Sequence, residues 1–231
     1  MTGSWHSEPI LDTGPASRAE LAYAKLRRAV VCRELEPGSW VSEAGLQEAS
    51  TFGRTPTREA CGRLVADGLL RLVPRNGYQV APLSWADMNQ LFDVFETLAP
   101  LTARLAHDRC DARLSQVLDQ ACVDTGSWNL DRTYAFTSEI FDGILRAAGN
   151  VWLTSMSAVL FNHLQRVWVL SLSETAADVR VEFFRQMRSA LTQSEEEAAV
   201  RDFVRFTENM REVAQSSVNR FEWAHHSASL P

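Results

Sequence analysis

No stretch of the chain approaches the roughly 18 uninterrupted apolar residues that a membrane span requires. The opening residues, MTGSWHSEPILDTGPASR, also lack the basic start and apolar core of a secretory signal. The expectation is a cytoplasmic protein with no membrane attachment and a flexible leader over residues 1–17. Cysteine is sparse. Cys32, Cys61, Cys110 and Cys122 form no CxxC pair and have no His cluster beside them, which suits reduced core thiols rather than disulfides or a zinc site. Also missing are a Ser-His-acid set, a Gly-rich phosphate loop and a metal-ligand cluster, so no catalytic residue, cofactor or enzyme activity is assigned. The concentrated acidic run, SEEEAA, reads as a helix start, where negative charge meets the helix dipole.

An excess of positive charge is absent as well, since 23 Lys+Arg face 29 Asp+Glu for a net charge of -6. The deficit is uneven. Residues 1–80 carry 10 basic against 9 acidic side chains, and the remainder carries 13 against 20. Any face for a polyanion is therefore expected in the first third. What is present, 231 residues with 45% hydrophobic and 23% charged, is the composition of a folded chain of one large or two small domains.

In that first third, AELAYAKLRRAVVC predicts an amphipathic helix with Leu21, Ala24, Lys25, Ala29 and Cys32 on one side and Arg27 and Arg28 on another. Pro37-Gly38 breaks the chain, and Ser42 can cap a short second helix through EAGLQEAS. In GRTPTREACGRL, Thr55 is expected to cap a third helix with Pro56 at its first position; Leu64, Val65 and Leu69 supply its buried side and Gly68 ends it. LLRLVPRNGYQVAP then places strand-like residues on either side of Arg75-Asn76-Gly77, and Asn-Gly is a strong hairpin signal. Three helices and a hairpin describe a winged helix-turn-helix over residues 18–80, followed by a linker at 81–83. The third helix of such a unit enters the DNA major groove by its first turn, with the hairpin tip on the backbone or minor groove. The candidate DNA contacts are Arg54, Thr55, Thr57 and Arg58 on that turn and Arg75, Asn76 and Gly77 at the tip. The arginine fork suits both guanine and phosphate.

Beyond residue 83 the pattern is helical. Ser84 and Asp87 read as a capping box opening a helix through Met88, Leu91, Phe92 and Phe95, with Pro100 expected to kink it or end it near Ala99. Asp111 can cap a short helix to Cys122, and further helices are expected over 130–148, 150–172, 175–192 and 195–223. The fold class is mainly α, a winged helix-turn-helix followed by a six- to seven-helix bundle over residues 84–223, with a flexible tail at 224–231.

The stretch from LRRAVVCRELEPGSW to DGLLRLVPRNGYQV, with its PG turn and R-T-P-x-R-E-A helix, resembles the N-terminal domain of the GntR family of bacterial transcription regulators. APLSWADMNQLFDVFETLAPLTARLA and ILRAAGN resemble the FadR-type effector domain of the FCD class. The resemblance implies a cytoplasmic homodimer on a pseudo-palindromic double-stranded operator, modulated by a small-molecule effector. It maps the family's DNA-contacting arginines onto Arg54 and Arg58, while Ala44 stands where a second-helix arginine is usual. Relatives of this class usually hold a divalent metal with one Asp and three His. Those positions fall at Thr137, Phe141, Phe184 and Phe206, and an effector-facing arginine falls at Phe95. Phenyl rings cannot ligate a metal, so none is expected at the usual site.

Two consequences stay open on the sequence. The rings form either an apolar pocket for a hydrophobic or aromatic effector, with Thr137, Asn162, His163 and Arg166 as orienting polar groups, or a solid core in a regulator that takes no effector there. A binding module with decayed DNA contacts is the further alternative, given Ala44 and Gly45.

Overall fold

A computed structural model describes residues 16–227 apart from 125 and 127, so the expected leader lies almost wholly outside the described residues. The first helix, α1 (Arg18–Val31), starts on a full capping box: Ser17 Oγ accepts from the Glu20 amide and the Glu20 carboxylate accepts from the Ser17 amide. It buries Ala22, Leu26, Ala29 and Val30, while Leu21, Ala24 and Lys25 are exposed. The expected apolar stripe is thus one residue out of register, because three- and four-residue steps can be threaded through a short mixed segment in more than one phase.

A two-residue strand β1 (Trp40–Val41), not foreseen in the sequence, precedes α2 (Glu43–Ser50), α3 (Arg54–Ala66), β2 (Leu70–Val73) and β3 (Gly77–Val80). The sheet is antiparallel in the order β1-β3-β2. Gly53, not Thr55, is the N-cap of α3, and no side chain caps it. Pro56 is consequently the third helical residue, still among the first amides that lack an intrahelical acceptor, so it interrupts no bond. Val73 pairs with Gly77, which leaves Pro74, Arg75 and Asn76 as the hairpin loop. The Asn76 amide donates to the Val73 carbonyl at 3.1 Å and Arg75 takes φ +70°. The turn is therefore built on Pro74-Arg75 rather than on Asn-Gly. Gly77 is required for another reason: a Cβ there would stand 2.7 Å from the Val41 carbonyl oxygen of β1. A core of Leu26, Leu46, Ala60, Cys61, Leu64 and Leu69 closes this unit.

The second unit comprises α4 (Trp85–Ala106), α5 (Ala112–Ala121), α6 (Leu130–Ala148), α7 (Val151–Glu174), α8 (Ala177–Thr192) and α9 (Glu196–Ser227). Helix α4 runs through Pro100 without ending, and α9 runs four residues past the expected limit at Trp223. Ser84 Oγ accepts from the Asp87 amide, but its hydroxyl donates to the Asp87 carboxylate, so the box is not reciprocal through the backbone. Asn129 caps α6, and Gly149 ends it at φ +61°. Helix α7 packs against α4, α6 and α9 within the bundle and against α1 of the first unit. Every residue from Leu164 to Leu172 in it is buried, which only a helix enclosed on all sides can achieve.

Candidate functional site

The leading turn of α3 presents Arg54, Thr55, Arg58 and Glu59 around one shallow, exposed depression. Behind it, Ala60, Cys61 and Leu64 are buried and hold the helix against the rest of the unit. Arg54 donates through Nε to Glu43 Oε1 at 3.1 Å, an exposed pair that orients the guanidinium and leaves both terminal nitrogens without a partner among the described residues. Arg58 has no such partner among the described residues and projects into solvent. Thr57, expected as a DNA contact, is instead 1% exposed and shares a 2.8 Å hydrogen bond with Ser50. It points inward, one residue out of phase with the exposed face, and fastens α3 to α2. Glu59 was not anticipated; its carboxylate is a suitable acceptor for a cytosine amino group. Its signal was legible, four residues after Thr55 on the same helical face.

At the hairpin, Arg75 and Asn76 are exposed at the tip, whereas Gly77 is half-buried and packed beneath β1. Any tip contact therefore falls to Arg75 and Asn76.

Inside the bundle, Phe95, Thr137, Phe141, Phe184 and Phe206 all line one cavity of about 50 Å³. Helices α4, α6, α8 and α9 thus each bring a sequence-selected residue to the same space. Phe161 and Trp168 of α7 complete the aromatic wall: Phe141 stacks on Phe161 at 3.5 Å with an interplanar angle of 2°, and Phe95 meets Trp168 edge-on at 5.4 Å. The polar groups in the lining are the hydroxyls of Thr102, Thr137 and Ser157 and the indole N–H of Trp168, which is buried without a partner among the described residues. The Thr102 hydroxyl donates to the Leu98 carbonyl and the Thr137 hydroxyl to the Thr133 carbonyl, so both are already engaged. No carboxylate, imidazole or thiolate stands in this wall to hold a divalent cation, and no Lys or Arg stands in it to neutralise a carboxylate. Among the described residues no three His, Cys, Asp or Glu side chains gather into a metal-binding group.

Asn162, His163 and Arg166, expected as orienting groups of the pocket, do not line it. All three face the first unit. Asn162 accepts from Arg27 of α1 at 2.5 Å. His163 Nε2 lies 3.0 Å from the Asp67 carbonyl at the end of α3, and burial and the Arg166 charge push its pKa down, so it donates there as a neutral ring. Arg166, 2% exposed, donates to the Ala81 and Pro82 carbonyls of the linker, and burial lowers its pKa to about 10. The polar face of α7 is a seam between the two units, and its apolar face is the cavity wall.

Residues 18–80 match the bacterial regulatory proteins of the gntR family, and residues 90–209 match the FCD domain. An HTH-type transcriptional regulator from an unstable DNA locus of Streptomyces ambofaciens is 31% identical over 192 residues, 79% of this chain and 78% of that protein. An HTH-type regulator of Agrobacterium vitis is 34% identical over 79 residues, 34% of this chain, and the match spans 46% of its own length. Among solved structures, McbR/YncC of E. coli superposes with a TM-score of 0.73 at 16% identity, over 87% of this chain and 99% of that one. A regulator from Rhodococcus sp. RHA1 does so with a TM-score of 0.64 at 17% identity, over the same shares. Both structural likenesses concern the fold.

Proposed function

This chain belongs to the GntR family of DNA-binding transcription regulators with an FCD effector-binding domain, and from that premise we propose that it binds a pseudo-palindromic operator as a homodimer. The observation that carries this reading is the leading turn of α3, where Arg54, Thr55, Arg58 and Glu59 stand clear of the fold while Thr57 and Ala60 anchor the helix behind them. Arg54 and Arg58 contact guanine or phosphate, Glu59 reads a cytosine amino group, and Arg75 and Asn76 at the wing hold the backbone. Ala44 supplies no charge from α2, which concentrates the contact on α3. The dimer contact is assigned to the stripe Trp152, Met156 and Val159 at helical spacing on α7, of which Trp152 is 74% and Met156 72% exposed. The test is selection of duplexes from a random pool by the full-length protein, repeated with Arg58→Ala. Enrichment of an inverted repeat that the variant no longer enriches supports the reading, and enrichment of no sequence by the parent sinks it.

The effector is proposed to be small, uncharged and apolar, because the lining offers carbon and no free charged donor. A second reading is favoured by the volume: about 50 Å³ is well below the ~150 Å³ engineered void that admits benzene, so the rings also fit a permanent plug. Thermal-shift assays with toluene, indole and octanoate separate the two. Stabilisation by toluene or indole alone supports an apolar effector site, and no response to any of the three supports the plug. Stoichiometric metal in protein prepared without chelator would overturn both.

A further inference from the structure

We propose that Arg27 is the positioning residue through which the bundle cavity sets the stance of the DNA-binding unit; this rests on the regulator reading above. Arg27 stands on α1, which packs against α3 on one side and α7 on another. All three of its guanidinium nitrogens are committed across the seam. Nε donates to Asn162 Oδ1 at 2.5 Å, one terminal nitrogen to the Tyr134 hydroxyl at 2.8 Å, and the other to Gln165 Oε1 at 2.5 Å. The cation also lies over the ring of Phe161, 5.9 Å from its centroid.

Two of those partners lead to the cavity, Phe161 as part of its wall and Gln165 through Thr137. Gln165 Nε2 donates to the Thr137 hydroxyl oxygen at 3.0 Å, and Thr137 lines the cavity. Phe161 lines it too and forms the Phe141 stack. The guanidinium is therefore linked to the cavity through Phe161 alone by an aromatic route and through Gln165 and then Thr137 by a polar one. Separating the stack, or displacing Thr137, moves a group to which Arg27 is bound.

On the far side, Tyr23 lies one turn before Arg27 on the same face of α1, and its hydroxyl donates to the Asp67 carboxylate at 2.6 Å, at the C-terminal end of α3. A shift of α1 thus reaches the rear of the helix that carries Arg54 and Arg58. None of the three hydrogen-bond acceptors of Arg27 is a carboxylate, so the grip on them depends on the direction of the fork. Lysine, with one nitrogen, cannot reproduce it.

The test is a double-mutant cycle on the full-length protein with an operator duplex enriched from a random pool. Dissociation constants are measured for the parent, Phe141→Ala, Arg27→Lys and the double variant, with Phe141→Leu in place of Phe141→Ala if the alanine variant does not fold. The Phe141 substitution is expected to change operator affinity about fivefold or more with Arg27 present and less than about twofold in the Arg27→Lys background. An equal change in both backgrounds, or none in the parent, overturns the proposal. Amide hydrogen exchange of α1 gives a readout that needs no DNA. Phe141→Ala is expected to speed exchange around Tyr23–Ala29 only when Arg27 is present, whereas a merely structural Arg27 gives the same increment in both backgrounds. If the parent enriches no duplex the regulator reading fails on its own, and the exchange cycle still decides the coupling.

Discussion

Phe184→Ala probes the cavity most directly. The ring is 1% exposed, lies 5.5 Å from Trp128 and 5.4 Å from Phe183 between centroids, and forms part of the cavity wall. Its removal loses the transfer free energy of six ring carbons and adds a void. An extra void of roughly 100 Å³ at ~24 cal/mol per Å³ costs about 2.4 kcal/mol, within the 3–5 kcal/mol typical of Phe→Ala once transfer is included. At ~2–4 °C per kcal/mol for a chain of this size, the bundle should melt on the order of 10 °C lower. The enlarged space, of order 150 Å³, matches an apolar cavity that stays dry and takes benzene. Toluene at about ten times its dissociation constant should then restore about 1.4 kcal/mol to the variant. The assay is calorimetric melting of parent and variant with and without toluene. A loss below about 1 kcal/mol, or toluene rescue no larger than the effect on the parent, would refute the picture of a tightly packed ring beside a small dry void.

Arg58→Ala should weaken operator binding and reduce the slope of log affinity against log salt by about 0.9 if the contact is to phosphate, as read by fluorescence anisotropy over a salt series. Thr57→Val should lower stability by about 1 kcal/mol in chemical denaturation, because it strands the Ser50 hydroxyl, while leaving the salt slope unchanged. Trp152→Glu with Met156→Glu should convert a dimer to a monomer in sedimentation velocity without loss of helical circular dichroism. Burial and the bond to Asp67 push the Tyr23 pKa up to about 12, above its ordinary 10, so its neutral form is favoured when folded. Its contribution to stability is intact below pH 10 and is lost as pH rises towards 12; Tyr23→Phe should flatten that limb of a stability–pH profile.

Helices with strong local punctuation were legible to the residue. The range 130–148 of α6 follows from Asn129 at one end and Gly149 at the other, two signals that act within a single turn. The convergence of Phe95, Thr137, Phe141, Phe184 and Phe206 could be anticipated from resemblance alone, since their spacing along four helices carries no trace of proximity. What failed was phase. Thr57 looks as exposed as Thr55 in sequence, and only the packing of α2 on α3 turns it towards Ser50. The sequence does not show which way Asn162, His163 and Arg166 point, because α7 is buried all round from Leu164 to Leu172, and a stretch without a solvent face has no apolar period from which to read direction. The strand β1 leaves no mark in the sequence, since two residues hold no alternation and its existence depends on Gly77 leaving room for it.

The seam on α7 carries a physical implication of its own. Gln165 and Arg166 are buried polar residues in a run otherwise almost wholly apolar, and each reaches across to satisfy its hydrogen bonds, Gln165 with Arg27 and Arg166 with the linker carbonyls. An apolar pair would fill the same space without desolvating a guanidinium, so raw stability does not account for them. Their bonds are directional, and they are satisfied at one orientation of the two units. If the units slid or rotated, a buried charge and several carbonyls would be left without partners, at about 1–3 kcal/mol for each group. Hydrophobic contact alone tolerates such sliding. The seam therefore makes the relative stance of the units a two-valued property, kept or broken, rather than a continuous one. That is the condition under which a small rearrangement in the cavity wall, which Gln165 touches through Thr137, can be felt at the DNA-facing turn of α3.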